Sequence, residues 1–210
     1  MLSGTTGGLC ARVAGALLGF VLFFSWGCAG SPAIKSFLRK DVDLTYVRTV
    51  GVLPFELQGG SSGIAEQARE ITITQVLGTG VFDVVDKGRV DSALKEEGIE
   101  KTQTVDPAAM KRLGQRLKVQ AFLLGSVDQA GDIRAGASVY PEVTLTLRLI
   151  DSEAGVLLWQ ASGRGTGYSL TDRLFGTGSK NSFQVTLDLL ARLFSTLRAP
   201  ARAPAQAPAQ

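Results

Sequence analysis

Hydrophobic spacing changes several times along this chain, and each change marks an element. From Val13 to Trp26 the residues are apolar with no period, and the run is followed by Cys28 and by the small Ala-Gly-Ser-Pro. Ser31 to Asp43 then reads as a linker around a short amphipathic piece, "AIKSFLRKDVDL". "YVRTVGVLPF" is β-rich, with Val47, Val50, Val52 and Leu53, and Pro54 ends it. After the turn-rich "ELQGGSSG", apolar positions recur at helical spacing from Ile64 to Leu77. Ser62 stands where a cap is needed, and Gly78 to Gly80 stop the helix.

"VFDVVD" reads as a short buried strand. Asp86 caps a helix over Arg89 to Glu97, which Gly98 ends. Asp106-Pro107 is an N-cap followed by proline at the first helical position, and it opens a helix over Ala108 to Leu117. Ala121 to Asp128 is a further strand, and "GDIRAGAS" is a loop. "YPEVTLTLRLID" alternates, with Val143, Leu145, Leu147 and Leu149 on one face and Arg148 on the other. "SEAG" turns the chain and "VLLWQASGRG" returns, which makes a β-hairpin. Gly163 to Asn181 is a glycine-rich loop. Phe183, Leu187, Leu190, Phe194 and Leu197 share a face of a last helix, Ser182 to Leu197. "APARAPAQAPAQ" is a Pro/Ala-rich tail of the composition that stays disordered.

The order β-α-β-α-α-β-β-β-α predicts an α/β single domain. Strands separated by helices pair parallel and hairpin strands pair antiparallel, so the expectation is one mixed β-sheet with helices packed on it. The expected organisation is a signal peptide over 1–27, a lipidated tether over 28–42, the folded domain over 43–198 and the tail over 199–210.

Composition narrows the chemistry. There is no His, which removes His-based general base catalysis and His metal ligation. The two cysteines, Cys10 and Cys28, both precede the folded part, so that part holds no disulfide, thiol nucleophile or Cys metal site. Net charge is +3, with the basic residues spread along the chain rather than clustered, and no nucleic-acid partner is expected. "GGSSG", Gly59 to Gly63, lies between a strand and a helix, where phosphates are often cradled, but it is neither GxGxxG nor a P-loop. It reads first as a plain loop. The visible carboxylate clusters are Glu96-Glu97, Asp83 with Asp86, and Asp151 with Glu153. All sit at helix ends or turns. Ser61, Ser62 and Ser126 lack a base. No catalytic residue, metal or cofactor is expected, and the protein reads as a non-enzyme.

The apolar run Val13 to Trp26 bears on location. It is shorter than the ~20 residues that a helix needs to cross a ~30 Å hydrocarbon core, and it has the length of a signal-peptide h-region behind Arg12. Gly27 before Cys28 resembles the lipobox of bacterial lipoproteins, in which the cysteine thiol receives diacylglycerol and becomes the first residue. Ser25 and Trp26 depart from the usual Leu and Ala or Ser. Ala29 stands where inner-membrane retention favours Asp, so the expected place is the outer membrane, facing the periplasm.

An ordered set of segments carries a resemblance for the rest. "VRTVGVLPFE", "VLGTGVFDVVDKGRVDSALKEEG", "LGQRLKVQAFLLGSV" and "VTLTLRLIDSEAGVLLWQASGRG" together resemble the family of bacterial outer-membrane lipoproteins typified by the curli-assembly component CsgG. They are similar as well to LpoB and, more distantly, to the TolB N-terminal domain. The resemblance implies no catalytic residue. It implies envelope assembly or secretion through protein binding, with a periplasmic protein or with identical copies, and an oligomeric export channel as the alternative. A nucleotide or phosphate binder at Gly59 to Gly63 is a third reading. The expected partner-binding residues are Arg148, Arg164, Tyr168, Arg173 and Phe175, on the hairpin edge and the loop after it, because loops on a rigid sheet usually carry binding.

Overall fold

A computed structural model describes residues 34–60, 63–102, 104–135, 138–168 and 180–197. Cys28, Arg173 and Phe175 lie outside them, as do the apolar run and the Pro/Ala tail. Contacts divide the chain into Met1–Ser31 and Pro32–Gln210, and the description concerns the second unit. Its elements run β1 (Ile34–Leu38), a 3₁₀ turn (Leu44–Tyr46), β2 (Thr49–Val52), β3 (Glu56–Leu57), α1 (Ile64–Thr79) and β4 (Asp83–Val84). They continue with α2 (Lys87–Glu96), α3 (Pro107–Leu117), β5 (Ala121–Ala135), β6 (Ser138–Asp151), β7 (Leu157–Thr166) and α4 (Ser182–Ser195).

The strands form one mixed, open sheet in the order β1-β7-β6-β5-β2-β4, with β3 also beside β5. Pairs β5–β2, β2–β4 and β3–β5 are parallel, and β1–β7, β7–β6 and β6–β5 are antiparallel. This is the expected α/β architecture, with the parallel part where helices intervene.

Helix ends follow their local chemistry. The Asp86 side chain accepts from Arg89 N at the start of α2, and Asp106 accepts from Ala108 N and Ala109 N at the start of α3, behind Pro107. Asn181 and Gln184 form a capping box on α4. Gly80, at φ 62°, ends α1. At the other end of α1 the cap position is Gly63, with no side-chain cap, and the expected Ser62 lies outside the described residues.

Glu56–Leu57, inside the segment read as a turn-rich loop, is a short strand beside β5, and Gly163–Thr166, read as the start of the glycine-rich loop, ends β7. Two longer segments also differ from their sequence reading. Ile34–Leu38, read as linker, is a strand paired with β7 from Ile34↔Gly163 to Leu38↔Trp159. Its partner is far along the chain, and a five-residue strand has too little local pattern to announce itself. "GDIRAGAS", read as a loop, continues the β5–β6 hairpin down to Ala135↔Ser138. Gly and Asp are poor strand formers, but the strong pairing of Phe122 with Ile150 and of Leu123 with Leu149 propagates into them across a bulge at Val127/Gln129.

The core has two layers of unequal extent. α1 and α4 cover one face, burying Ala68, Ile71, Val76, Leu189, Leu190 and Leu193 against Val50, Val143, Leu145, Leu147 and Trp159. α2 and α3 cover the other face, where Val90, Leu94, Met110 and Leu113 meet Phe122 and Leu124. On α4 the buried stripe is centred on Val185, Leu189 and Leu193, and Phe183 is exposed although it shares the expected face. Gly163 and Gly165 of β7 allow this helix to approach, since a Cβ on Gly165 would sit 3.0 Å from Val185.

Candidate functional site

The second layer is centred on β5 and reaches only the end of β6, where Ile150 packs against it. Among the described residues, the rest of β6, with β7 and β1, carries helix on one face only, and no described element packs on the other. The strand registers arrange its side chains in rows. One row runs from buried Leu124 through Arg148 and Gln160 to Phe37, which is 49% exposed. The next runs from Ser126 through Thr146 and Ser162 to Lys35. A third pairs Gln129 with Thr144 and Arg164.

A hydrogen-bonded ladder crosses this face. Ser126 and Thr146 each donate to Asp128 at 2.6 Å, and Thr146 and Ser162 share a bond of 2.8 Å. Arg164 is ion-paired with Glu142, which is buried while Arg164 stays largely exposed. Among the described residues Arg148 has neither a carboxylate nor a hydrogen-bonding partner, although its side chain is half-buried between Leu124 and Gln160. Tyr168 packs edge-on against Tyr140, with ring centroids 4.9 Å apart. Tyr140 alternates onto the same side as Glu142. Three of the five expected contact residues therefore lie on one face or at its border. Phe37, Gln160 and Lys35 belong to it too. The alternation in the last hairpin strand places Gln160, but Phe37 and Lys35 were hidden with the strand that carries them.

Several other candidates have structural duties. Asp151 Oδ1 accepts from Glu153 N and Ala154 N and so closes the β6–β7 turn, and its Oδ2 accepts from the Tyr46 hydroxyl at 2.5 Å. Partial burial, then this bond and the Asp151 charge, raise the Tyr46 pKa above its ordinary value. Glu97 pairs with Arg112 at 3.0 Å, Glu96 with Arg116, and Glu153 with Lys111. The glycine loop has its own explanation: Gly59 O accepts from Ala130 N, and a Cβ on Gly60 would lie 2.8 Å from Ala130 O, so glycine lets the backbone press against β5. A cleft of about 640 Å³ lies where the segment before β2 crosses Leu77, Phe82 and Leu197. Two of its polar groups are committed to the fold: Arg39 Nε donates to Leu157 O, and Asp43 caps the 3₁₀ turn. No described helix is long and apolar enough to cross a membrane. The part of the β5–β6 ribbon beyond its sheet neighbours, 131–135 and 138–141, is shorter than the ~9–11 residues of a spanning strand.

No family model and no curated protein matches this chain. Solved structures do. PelC from Paraburkholderia phytofirmans, a dodecamer, aligns in two crystal forms at TM-scores of 0.56 and 0.55, with 20% and 17% identity, over 80% of this chain and 99% of that one. Lipoprotein GNA1162 from Neisseria meningitidis aligns at 0.51, with 20% identity, over 71% of this chain and 94% of its own. The C-terminal domain of LpoB from Escherichia coli aligns more loosely, at 0.44 with 15% identity, over 60% and 87%. At these identities the likeness is one of fold, and this chain has the fold of PelC and GNA1162.

Proposed function

We propose that this protein is a non-enzymatic, lipid-anchored envelope protein that binds another protein through the open half of its sheet. The observation that carries this is a layer that, among the described residues, ends at Ile150: the rest of β6, with β7 and β1, is covered on one face and presents Arg148, Gln160, Phe37 and Lys35 on the other. A half-buried guanidinium without an acceptor is an anchor waiting for one, and arginine and aromatic side chains dominate binding energy at interfaces. The lipidated Cys28 confines the domain at the outer membrane on its periplasmic side and raises its effective concentration against partners there. Two of the likenesses agree in kind: GNA1162 is a lipoprotein, and PelC assembles with its own copies. The curli-type role in assembly or secretion is a narrower form of the same reading.

Photocrosslinking in intact cells tests it, with the reactive group at Gln160 on the open face and at Gln67 on α1 as control. A discrete adduct is expected from Gln160 alone, and Arg148→Glu abolishes it while leaving the melting temperature unchanged. Equal labelling from both positions would exclude the open face as the docking surface. Palmitate labelling that disappears in Cys28→Ala checks the anchor separately.

A further inference from the structure

Strand β1 has one neighbour, β7, among the described residues. No described strand pairs with its outer side, which presents a row of backbone donors and acceptors. Natural edges are blocked by proline, a bulge, a cover or charge. β1 contains no proline, its register with β7 is continuous, and Lys35, Ser36 and Phe37 are all exposed. Lys35 is the one guard, and Phe37 is an aromatic ring offered to solvent on the same strand.

We infer that β1 pairs with β1 of a second copy, antiparallel, about a two-fold axis at Ser36. In this register Ser36 opposes its own equivalent, Ile34 opposes Leu38 of the second copy, and Lys35 opposes Phe37 of the second copy. Side chains opposed in an antiparallel pair lie on one face, so the open faces of both copies align, and so do the helix-covered faces. The neighbouring registers fail. A shift of one residue sets the open face of one copy against the helical face of the other. A shift of two sets Lys35 against Lys35 in one direction and against Arg39 in the other, and like charges directly opposed are destabilising. The Ser36-centred register instead puts the Lys35 ammonium against an aromatic ring, a favourable cation–π contact. The same lysine that blocks the wrong registers fits this one. The ladder is short and lies below the ~1,000 Å² of a stable interface, so the dimer is weak, and a covalent trap is the suitable readout. The pairing makes the two open faces continuous and does not depend on the lipid anchor.

The test uses the full chain with Cys10→Ala and Cys28→Ala, so that a single introduced thiol reports. Residues directly opposed sit about 4.5–5.5 Å apart, within disulfide reach, and diagonal ones roughly 7–8 Å apart, beyond it. Under mild oxidation Ser36→Cys shifts the main band on a non-reducing gel to twice the monomer mass. Lys35→Cys and Phe37→Cys alone stay monomeric, and a mixture of those two chains yields the cross-linked dimer. Equal crosslinking at Lys35 and Ser36, or none at Ser36 in a chain with an unchanged circular dichroism spectrum, overturns the inference. If Ser36→Cys alters the fold, hydrogen exchange on the unsubstituted full chain decides. Protection of the amides in Ile34–Leu38 must rise with protein concentration, and concentration-independent exchange rejects the pairing.

Discussion

Arg69 lies on α1 with 1% of its surface exposed and is fully engaged. Its Nε and Nη2 donate to Val52 O at 3.2 and 2.9 Å, and its Nη1 and Nη2 donate to Asp91 at 3.1 and 2.7 Å. One side chain thus ties α1 to the end of β2 and to α2. The two partners are not equivalent, because Asp91 remains 42% exposed in its side chain. Removing the acid strands a buried cation, with only Glu66 at 3.9 Å to compensate it. Asp91→Ala is therefore expected to cost about 3 kcal/mol. Arg69→Met keeps most of the packing volume and lets Asp91 return to water, and it costs about 1–2 kcal/mol, chiefly from the unpaired Val52 carbonyl. Urea midpoints of the two variants check the order, and the reverse order contradicts this account. Helical spacing marks Ala68, Ile71, Thr72 and Val76 as buried, but it cannot mark Arg69. A cation reads as solvent-facing until its acid, 22 residues on, is brought beside it. Arg148 is the opposite case: strict alternation in its strand places it away from Leu147 and Leu149 without any tertiary knowledge.

At the scale of elements, glycines decide how closely layers and strands approach. Gly125 of β5 carries the ring of Phe55, and a Cβ there would lie 2.4 Å from ring carbons. Gly125→Ala is expected to destabilise by about 1–3 kcal/mol through overpacking. Phe55→Leu in the same chain recovers part of the loss, because the smaller side chain makes the room that alanine needs. Thermal melts of the single and double variants measure this, and strictly additive losses show that the ring is not the obstacle. The helices were legible from caps and periodicity, since Asp86, Asp106-Pro107 and Asn181 act within one turn. The long hairpin was only half legible. Its base alternates clearly, while its distal part owes its strand form to the register inherited from the base. Strand β1 was missed because a short edge strand is defined by the neighbour it finds.

At the scale of the molecule, the chain before β2 is fastened to the far end of the β6–β7 hairpin. Arg39 N donates to Leu158 O, and Tyr46 donates to Asp151, which is 105 residues away. The Tyr46 phenol ionises near 10.0 when unfolded and at higher pH when folded, since burial and Asp151 both oppose its charge. Its contribution is complete below about pH 10 and is lost as the pH rises from there toward the folded value. Tyr46→Phe should lower global stability by about 1 kcal/mol at neutral pH. It should also flatten the alkaline loss, so the stability curves of the two chains converge above pH 10. Denaturant unfolding across that range tests this, and parallel curves refute it.

The same scale separates what the chain carries locally from what folding adds. Sequence alone determined the α/β class, the helices to within two residues at their ends, the last hairpin and the face on which Arg148 stands. All of these arise from contacts within a turn of helix or a pair of strands, and their periods and caps are written in consecutive residues. Tertiary structure alone decided that Ile34–Leu38 is an edge strand, that Arg69 is buried, and that α2 and α3 reach no further than the end of β6. Each depends on partners distant in the chain, whose meeting is set by the packing of the whole sheet rather than by any local preference. The open face follows from that uneven packing, and the side chains for it were already in place on β6 and β7.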